Sequence, residues 1–273
     1  MNDQPRYAAL VVPIIILLGV VYLVPLFGVL TISVTEPQLG LGNYQKVLQN
    51  VAIGKVALTT LRICLLTTII SIVIGYILAY AYNNASQGSQ RLMMLFIVVP
   101  LWTSVLIRTF AWLMILGDNG PVNSAIQALG FSPLAMMHSE IGVIIGMAHY
   151  MVPYAALTIL AGMAGIDERL MMASRGLGAG PVYTFLKVYL PLTLPGVFAG
   201  TVLVLVLALG FYVTPIILGG GRVVMIGEYI STQILLISRW GIGSVLAMLL
   251  MLTVLVTIAL AARAVDLRRI FSA

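Results

Sequence analysis

The chain has 273 residues, of which 61% are hydrophobic and only 8% charged, with a formal net charge of +6. A soluble domain carries about 25% charged residues, so this chain has too few to cover a water-facing surface and reads as an integral membrane protein. Its basic residues are scattered and several flank apolar runs on one side, so the charge is not evidence for nucleic acid and no nucleic-acid partner is expected.

Six apolar stretches are long enough to span, each near or above the roughly 20 residues a bilayer needs. They fall at about Ala8–Val34, Val56–Tyr82, Leu92–Leu116, Ile141–Ile166, Leu194–Leu218 and Ile242–Val265. Arg6 before the first run gives it the look of a signal peptide, but the apolar stretch is far longer than a signal core. No small-x-small site ends it cleanly, so it reads as an uncleaved span. The only cysteine, Cys64, lies inside the second run; it permits no intrachain disulfide and suits a small packing position. The expected fold is therefore all-α, a polytopic bundle forming one transmembrane domain over residues 1–273.

Between the spans, Leu41–Leu48 and Pro121–Leu129 read as short interfacial helices, each apolar on one side. Gly142 with Gly146, and Gly196 with Gly200, are small-xxx-small pairs suited to close helix packing within the chain, with a second subunit as the alternative. Pro13, Pro25, Pro100, Pro153 and Pro215 fall in or near spans, where the carbonyls they free need partners. Gly219-Gly220-Gly221 reads as a flexible turn, an anion cradle being the alternative. Even-numbered loops and both termini hold Arg6, Arg91, Arg169, Arg175, Lys187, Arg263, Arg268 and Arg269. The opposite side holds Lys46, Lys55, Arg222 and Arg239, offset by Glu36, Asp118, Glu140 and Glu228. By the positive-inside rule both termini face the cytoplasm.

The one long polar interruption runs from Asp167 to Pro195 and falls on the same side. Asp167 suits the N-cap of a short helix over Glu168 to Arg175, with the acids at its dipole-favoured end. Gly176, Gly178 and Gly180 break that helix, and Pro181 opens another. Val182, Phe185 and Tyr189 recur on one face of the second piece, which Pro191 and Pro195 are expected to close. A loop this structured between two spans is built to touch something.

Here the chain resembles the permease subunits of type I ABC importers. Their cytoplasmic loop has the form E-A-A, three residues, Gly, then about nine residues to an apolar-x-Leu-Pro end. Met172, Ala173, Ser174, Gly178 and Tyr189-Leu190-Pro191 fall on that pattern, with Met172 in place of the family's Glu and Ser174 in place of its second Ala. Val99-Pro100-Leu101-Trp102-Thr103 with Leu106-Ile107-Arg108, and Leu190-Pro191-Leu192-Thr193 with Pro195-Gly196, resemble the polyamine (spermidine/putrescine) branch. The resemblance implies the type I importer permease fold and a cytoplasmic coupling loop over 166–193. Met172, Ala173, Ser174, Arg175 and Gly178 would contact the ATPase. It implies two ATPase subunits, which carry ATP and Mg, so this chain binds no cofactor of its own. It also implies a second permease subunit (a distinct homologue in the polyamine branch), an extracytoplasmic binding protein and a bacterial inner-membrane location. The cargo would be a polyamine or related amine; an opine, amino-acid-like solute, anion or metal is the alternative.

Arg108 lies about eight residues from the outer end of the third span, where a charge is costly. On a straight helix Ser104, Arg108 and Trp112 share one face, with Trp102 and Thr109 on an adjoining stripe. That face reads either as the wall of a translocation path or as a structural Arg stacking on Trp112. Tyr150, with His149 and Tyr154, and Tyr212, with Thr214, are further candidates for the path. Glu228 reads as a solvated acid, with a place at the pathway mouth as the alternative. No enzyme reading survives. There is no Gly-x-Ser-x-Gly, no pair of intramembrane acids and no metal spacing with only His138 and His149. There is also no P-loop, and the Gly176-x-Gly178-x-Gly180 run follows no strand, so catalytic and metal-site residues are both expected to be absent. A transport subunit and a non-transporting sensor or assembly factor remain, and the loop favours transport.

Overall fold

The computed structural model describes the backbone of residues 4–271 and the side chains of residues 12–263. The side chains of Arg6, Arg268 and Arg269 lie outside the described set. Among the described residues all regular structure is helical, as the composition predicts. Five helices are long and apolar enough to cross a membrane, and a bent pair makes a sixth crossing if counted as one span. The chain divides into two compact units, Met1–Lys55 with Tyr229–Leu252, and Val56–Glu228 with Thr253–Ala273.

In the first unit, α1 (Gln4–Thr35) turns into the short α2 (Gly42–Gln49). The turn is held by polar side chains that would otherwise be buried without partners. Ser33 and Tyr44 hydroxyls meet at 2.9 Å, and the Asn43 amide donates to the carbonyls of Ser33 and Glu36. The start of α13 (Trp240–Phe271) passes this turn so closely that a side chain at Gly241 would strike the Glu36 carbonyl. The described length of α1 is exposed and apolar, as a lipid-facing helix must be.

The second unit is organised on α7 (Glu140–Met163), the most buried span. Packed on it are α3 (Val51–Asn83) and α10 (Leu190–Leu209). Glycine permits the closest crossings. Gly75 meets Ala155, a Cβ on Gly162 would lie 2.6 Å from the Gly196 Cα, and Gly200 faces Ile159. Gly142 and Gly146 likewise face Met136, Leu218 and Thr214. The small-residue pairs thus serve packing within the chain. Arg62, about three turns into α3, forms an ion pair with Glu140 at the start of α7, while near the C-terminal ends of both helices Ala79, Ile159 and Met163 cluster with Tyr189.

Two predicted spans are not straight. The third divides into α4 (Gln87–Trp102) and α5 (Val105–Leu116), and the chain bends by 103° between α4 and the Val105–Ala128 segment made of α5 and α6 (Pro121–Ala128). Pro100 removes a helical donor, and Thr103 and Ser104 take extended backbone at the break. The fifth ends at Gly210 and resumes as the short α11 (Val213–Gly219), which packs on α5 and α7. Pro191 and Pro195, expected to close the second loop piece, interrupt nothing. Helix α9 (Pro181–Thr184) runs through a π-helical turn, Phe185–Tyr189, straight into α10. The widened turn falls where the Pro191 ring would otherwise collide with the Lys187 carbonyl four residues back.

Candidate functional site

The polar loop folds as its residues dictate. Asp167 accepts a hydrogen bond from the Arg169 N–H at 2.9 Å and opens α8 (Glu168–Gly176). At the other end the Gly178 N–H donates to the Arg175 carbonyl at 3.0 Å, and Ala179 N–H to the Ser174 carbonyl at 3.2 Å. Those two bonds with a left-handed Gly178, φ +85°, make a Schellman cap. Met172, Ala173 and Arg175 point outward, Met172 at 60% exposure, and α8 buries no residue at all. Ser174 instead turns inward and meets Thr184 at 3.1 Å, tying α8 to α9.

Below the loop sits an aromatic bearing that the sequence reading recognised only in part. Tyr80 meets the rings of Phe185 and Tyr189 edge-on at 5.3 and 5.4 Å, and the Tyr76 hydroxyl reaches Thr193 at 3.2 Å. Tyr76, Tyr80 and Asn83, at i, i+4 and i+7 on α3, were the available signal. The cluster packs the loop against the ends of α3, α7 and α10. An open cleft of about 290 Å³ lies at its edge, lined by residues including Asn83, Glu168, Arg175 and Phe185.

The second group of predicted residues gathers around Arg108, which is only 8% exposed. Its guanidinium donates to the Thr103 carbonyl at 2.7 Å and stacks 4.8 Å over the ring of Tyr150, leaving two nitrogens buried without a partner. A cation is thereby held at the carbonyl end of the broken α4, where the helix dipole favours it. The expected stack of Arg108 on Trp112 is not formed; Trp112 packs edge-on against His149 at 5.5 Å. Tyr150 also touches Phe211 at 4.8 Å and the Tyr154 hydroxyl at 3.3 Å. Tyr212 follows Phe211 in the chain. Thr109 and Thr214 meet at 3.1 Å and bind α5 to α11. Trp102 is not part of this group. It ends α4 before the break and stands 85% exposed, and Ser104 is exposed at the break itself. An apolar cavity of about 560 Å³ between α3, α4 and α7 has Trp112 and His149 on its wall.

Three positions differ from their sequence reading or escaped it. Glu228, on α12 (Ile226–Ser231), is only 9% exposed rather than solvated, and one carboxylate oxygen has no partner. Burial pushes its carboxyl up from the ordinary value, partly offset by the Met225 N–H. Asn123, fully buried, ties the 117–134 loop by donating to the Gly117 and Leu134 carbonyls and accepting from the Leu134 N–H. At the glycine turn, Gly220 and Gly221 adopt positive φ and His138 packs against Gly220, so the segment is a formed corner. No group of residues suited to hold a metal ion occurs among those described.

A bundle of broken and continuous spans with one capped polar loop defines a membrane transport subunit, and solved structures carry the same fold. A chain of a bacterial ABC transporter involved in the import of the acidic polysaccharide alginate superposes with a TM-score of 0.75 at 18% identity, covering 98% of this chain and 96% of that one. A chain of the inward-facing MetNI methionine ABC transporter superposes with a TM-score of 0.58, also at 18% identity, over 78% and 94%.

Residues 71–271 match the family of binding-protein-dependent transport system inner membrane components, and the chain belongs to it. Among its relatives, the spermidine/putrescine transport system permease protein PotB of Haemophilus influenzae is 33% identical over 204 residues, 74% of this chain and 71% of that protein. PotB of Escherichia coli is 31% identical over 206 residues, 75% and 74% respectively. The molybdenum transport system permease protein ModB of Azotobacter vinelandii is 25% identical over 161 residues, 59% of this chain and 70% of that one. This protein is thus a multi-pass permease component of an ABC importer, a transport protein by family.

Proposed function

We propose that the chain is a permease subunit through which a small organic amine, a polyamine above all, crosses a bacterial inner membrane. The observation that carries this reading is the similarity to PotB along about three quarters of the chain. Aromatic side chains at Trp112, Tyr150 and Tyr212, with Trp102 at the break, give a cationic cargo successive ring faces. An extracytoplasmic binding protein delivers the cargo, and a second, homologous permease subunit completes the path. Both termini and the 166–193 loop face the cytoplasm, where two ATPase subunits hold ATP and Mg.

In this reading the exposed face of α8, from Met172 to Arg175, seats in an ATPase groove, and Gly178 sets the angle at which it projects. Closure of the ATPase pair pushes α8. Because α8 bears on the Tyr80–Phe185–Tyr189 cluster, the push moves α3, α7 and α10 as packed bodies rather than bending the loop. The breaks at Thr103 and Gly210 are the points where such a motion costs least, since the helical hydrogen bonds are already interrupted there. Arg108 favours a second reading, an anionic cargo, because its buried cation would attract one.

The test is uptake by the complete importer in proteoliposomes. Labelled putrescine should accumulate only with ATP and the loaded binding protein. Trp112→Ala should lower that uptake several-fold without altering binding-protein affinity, as loss of a cation–π contact of about 1 kcal/mol requires. Accumulation of molybdate instead of putrescine would establish the anionic reading.

A further inference from the structure

Among the described residues only two charged side chains are buried, Arg108 and Glu228, and neither has an ionic partner; the Arg62–Glu140 pair is elsewhere and exposed. Arg108 has its carbonyl and its tyrosine. Glu228 has far less. It lies on a helix of six residues whose backbone is firmly tied, for the Ile226 N–H donates to the buried Thr60 hydroxyl at 2.8 Å. Gly227 packs so tightly that a Cβ there would lie 3.1 Å from the Tyr212 Cβ and 3.4 Å from the Phe211 carbonyl. A carboxylate on a rigid mount, with Oε2 buried and unsatisfied, is a costly arrangement. Nothing in the packing requires an acid there: leucine or methionine would fill the volume without that cost. Buried ionisable groups in transport proteins are kept where a mobile charge must be met.

We propose that Glu228, next in the chain to the Gly227–Tyr212 contact, is an ammonium subsite on the cargo path, taking one primary amine of an aliphatic di- or polyamine as it leaves the binding protein. This rests on the amine reading of the function and gives that reading its counter-charge. A primary ammonium carries three donors, one of which would satisfy Oε2. The site also reconciles an amine cargo with Arg108. Arg108 is turned toward Tyr150 and the Thr103 carbonyl, whereas Glu228 Oε2 has no partner. The aromatic Phe211–Tyr150 contact, at 4.8 Å, leads from Tyr212 toward the Arg108 region.

The experiment uses the complete importer with its binding protein in proteoliposomes and labelled putrescine as probe, comparing wild type with Glu228→Gln and Glu228→Asp. Loss of a charge-assisted hydrogen bond predicts that Glu228→Gln lowers putrescine uptake about ten-fold or more, with Glu228→Asp recovering part of it. Both variants should assemble with their partners in wild-type amounts on gel filtration. Wild-type uptake by Glu228→Gln would overturn the subsite while leaving the amine reading intact. If the wild-type importer itself takes up no putrescine, the amine reading fails and the subsite fails with it. Loss of assembly in both variants would make Glu228 a structural group and equally reject the proposal.

Discussion

Gly178 shows how a single residue carries the geometry of the loop. Its φ of +85° lies in the left-handed region, and a Cβ built there meets no atom within 4 Å. A substitution is therefore opposed by backbone strain alone, about 1–2 kcal/mol for an ordinary side chain and less for Asn, which tolerates this region. Gly178→Leu should leave membrane insertion intact, yet lower transport-coupled ATP hydrolysis strongly, because the Schellman cap aims α8. Gly178→Asn should fall between. ATPase assays with loaded binding protein, alongside uptake, decide this; full coupling in Gly178→Leu would remove the loop from the mechanism. Met172, by contrast, is exposed and free of the cap, so restoring Glu there adds a charge without straining anything.

At the scale of elements, the break between α4 and α5 sets the character of the third span. A helix broken inside a membrane leaves carbonyls without donors, each a liability of several kcal/mol in hydrocarbon. Arg108 answers for Thr103, and its stack on Tyr150 fastens the break to α7. Arg108→Ala should lower the melting temperature of the detergent-solubilised complex, consistent with about 1–3 kcal/mol for an orphaned buried acceptor. Arg108→Lys should recover the donor but not the planar stack, and so only part of the stability. Thermal unfolding followed by intrinsic fluorescence reads both. Equal melting temperatures for Arg108→Ala and wild type would mean that the break is held by Thr109–Thr214 and the α7 packing instead.

For the molecule as a whole, the arginine asymmetry and the fold of the second unit make one joint statement. The Arg62–Glu140 end of α3 and α7 and the Tyr189 end lie at opposite extremities of the same packed spans. Hence α8 and the 130–139 loop must face opposite sides of the membrane. With Cys64 replaced by Ala, a cysteine at Ser174 should react with an impermeant thiol reagent only after the membrane is opened, whereas one at Ser132 should react in intact spheroplasts. Labelling at position 174 from outside would invert the assignment of every loop. A third probe at Ser272 falls outside the described residues.

Read alone, the amino-acid order determined what depends on neighbours along the chain. Apolar length establishes the class and the spans, because a bilayer accepts little else. Asp167, Gly178 and Pro181 mark the ends of the loop helices, because caps and left-handed turns are local backbone chemistry. The tertiary structure alone decided where proline acts. Pro100 precedes a break, yet Pro191 and Pro195 ride within continuous helix, because surrounding packing and a π-helical turn determine whether a lost donor ends a span. It likewise gave Arg108 to Tyr150 rather than Trp112, by stacking the α5 arginine across onto α7 rather than along its own helix, and left Trp102 beyond the break. Glu228 is buried on a helix whose neighbouring residues Ile226 and Gly227 meet Thr60 and Tyr212, residues far away in sequence or on another element, and no local pattern announces such a meeting.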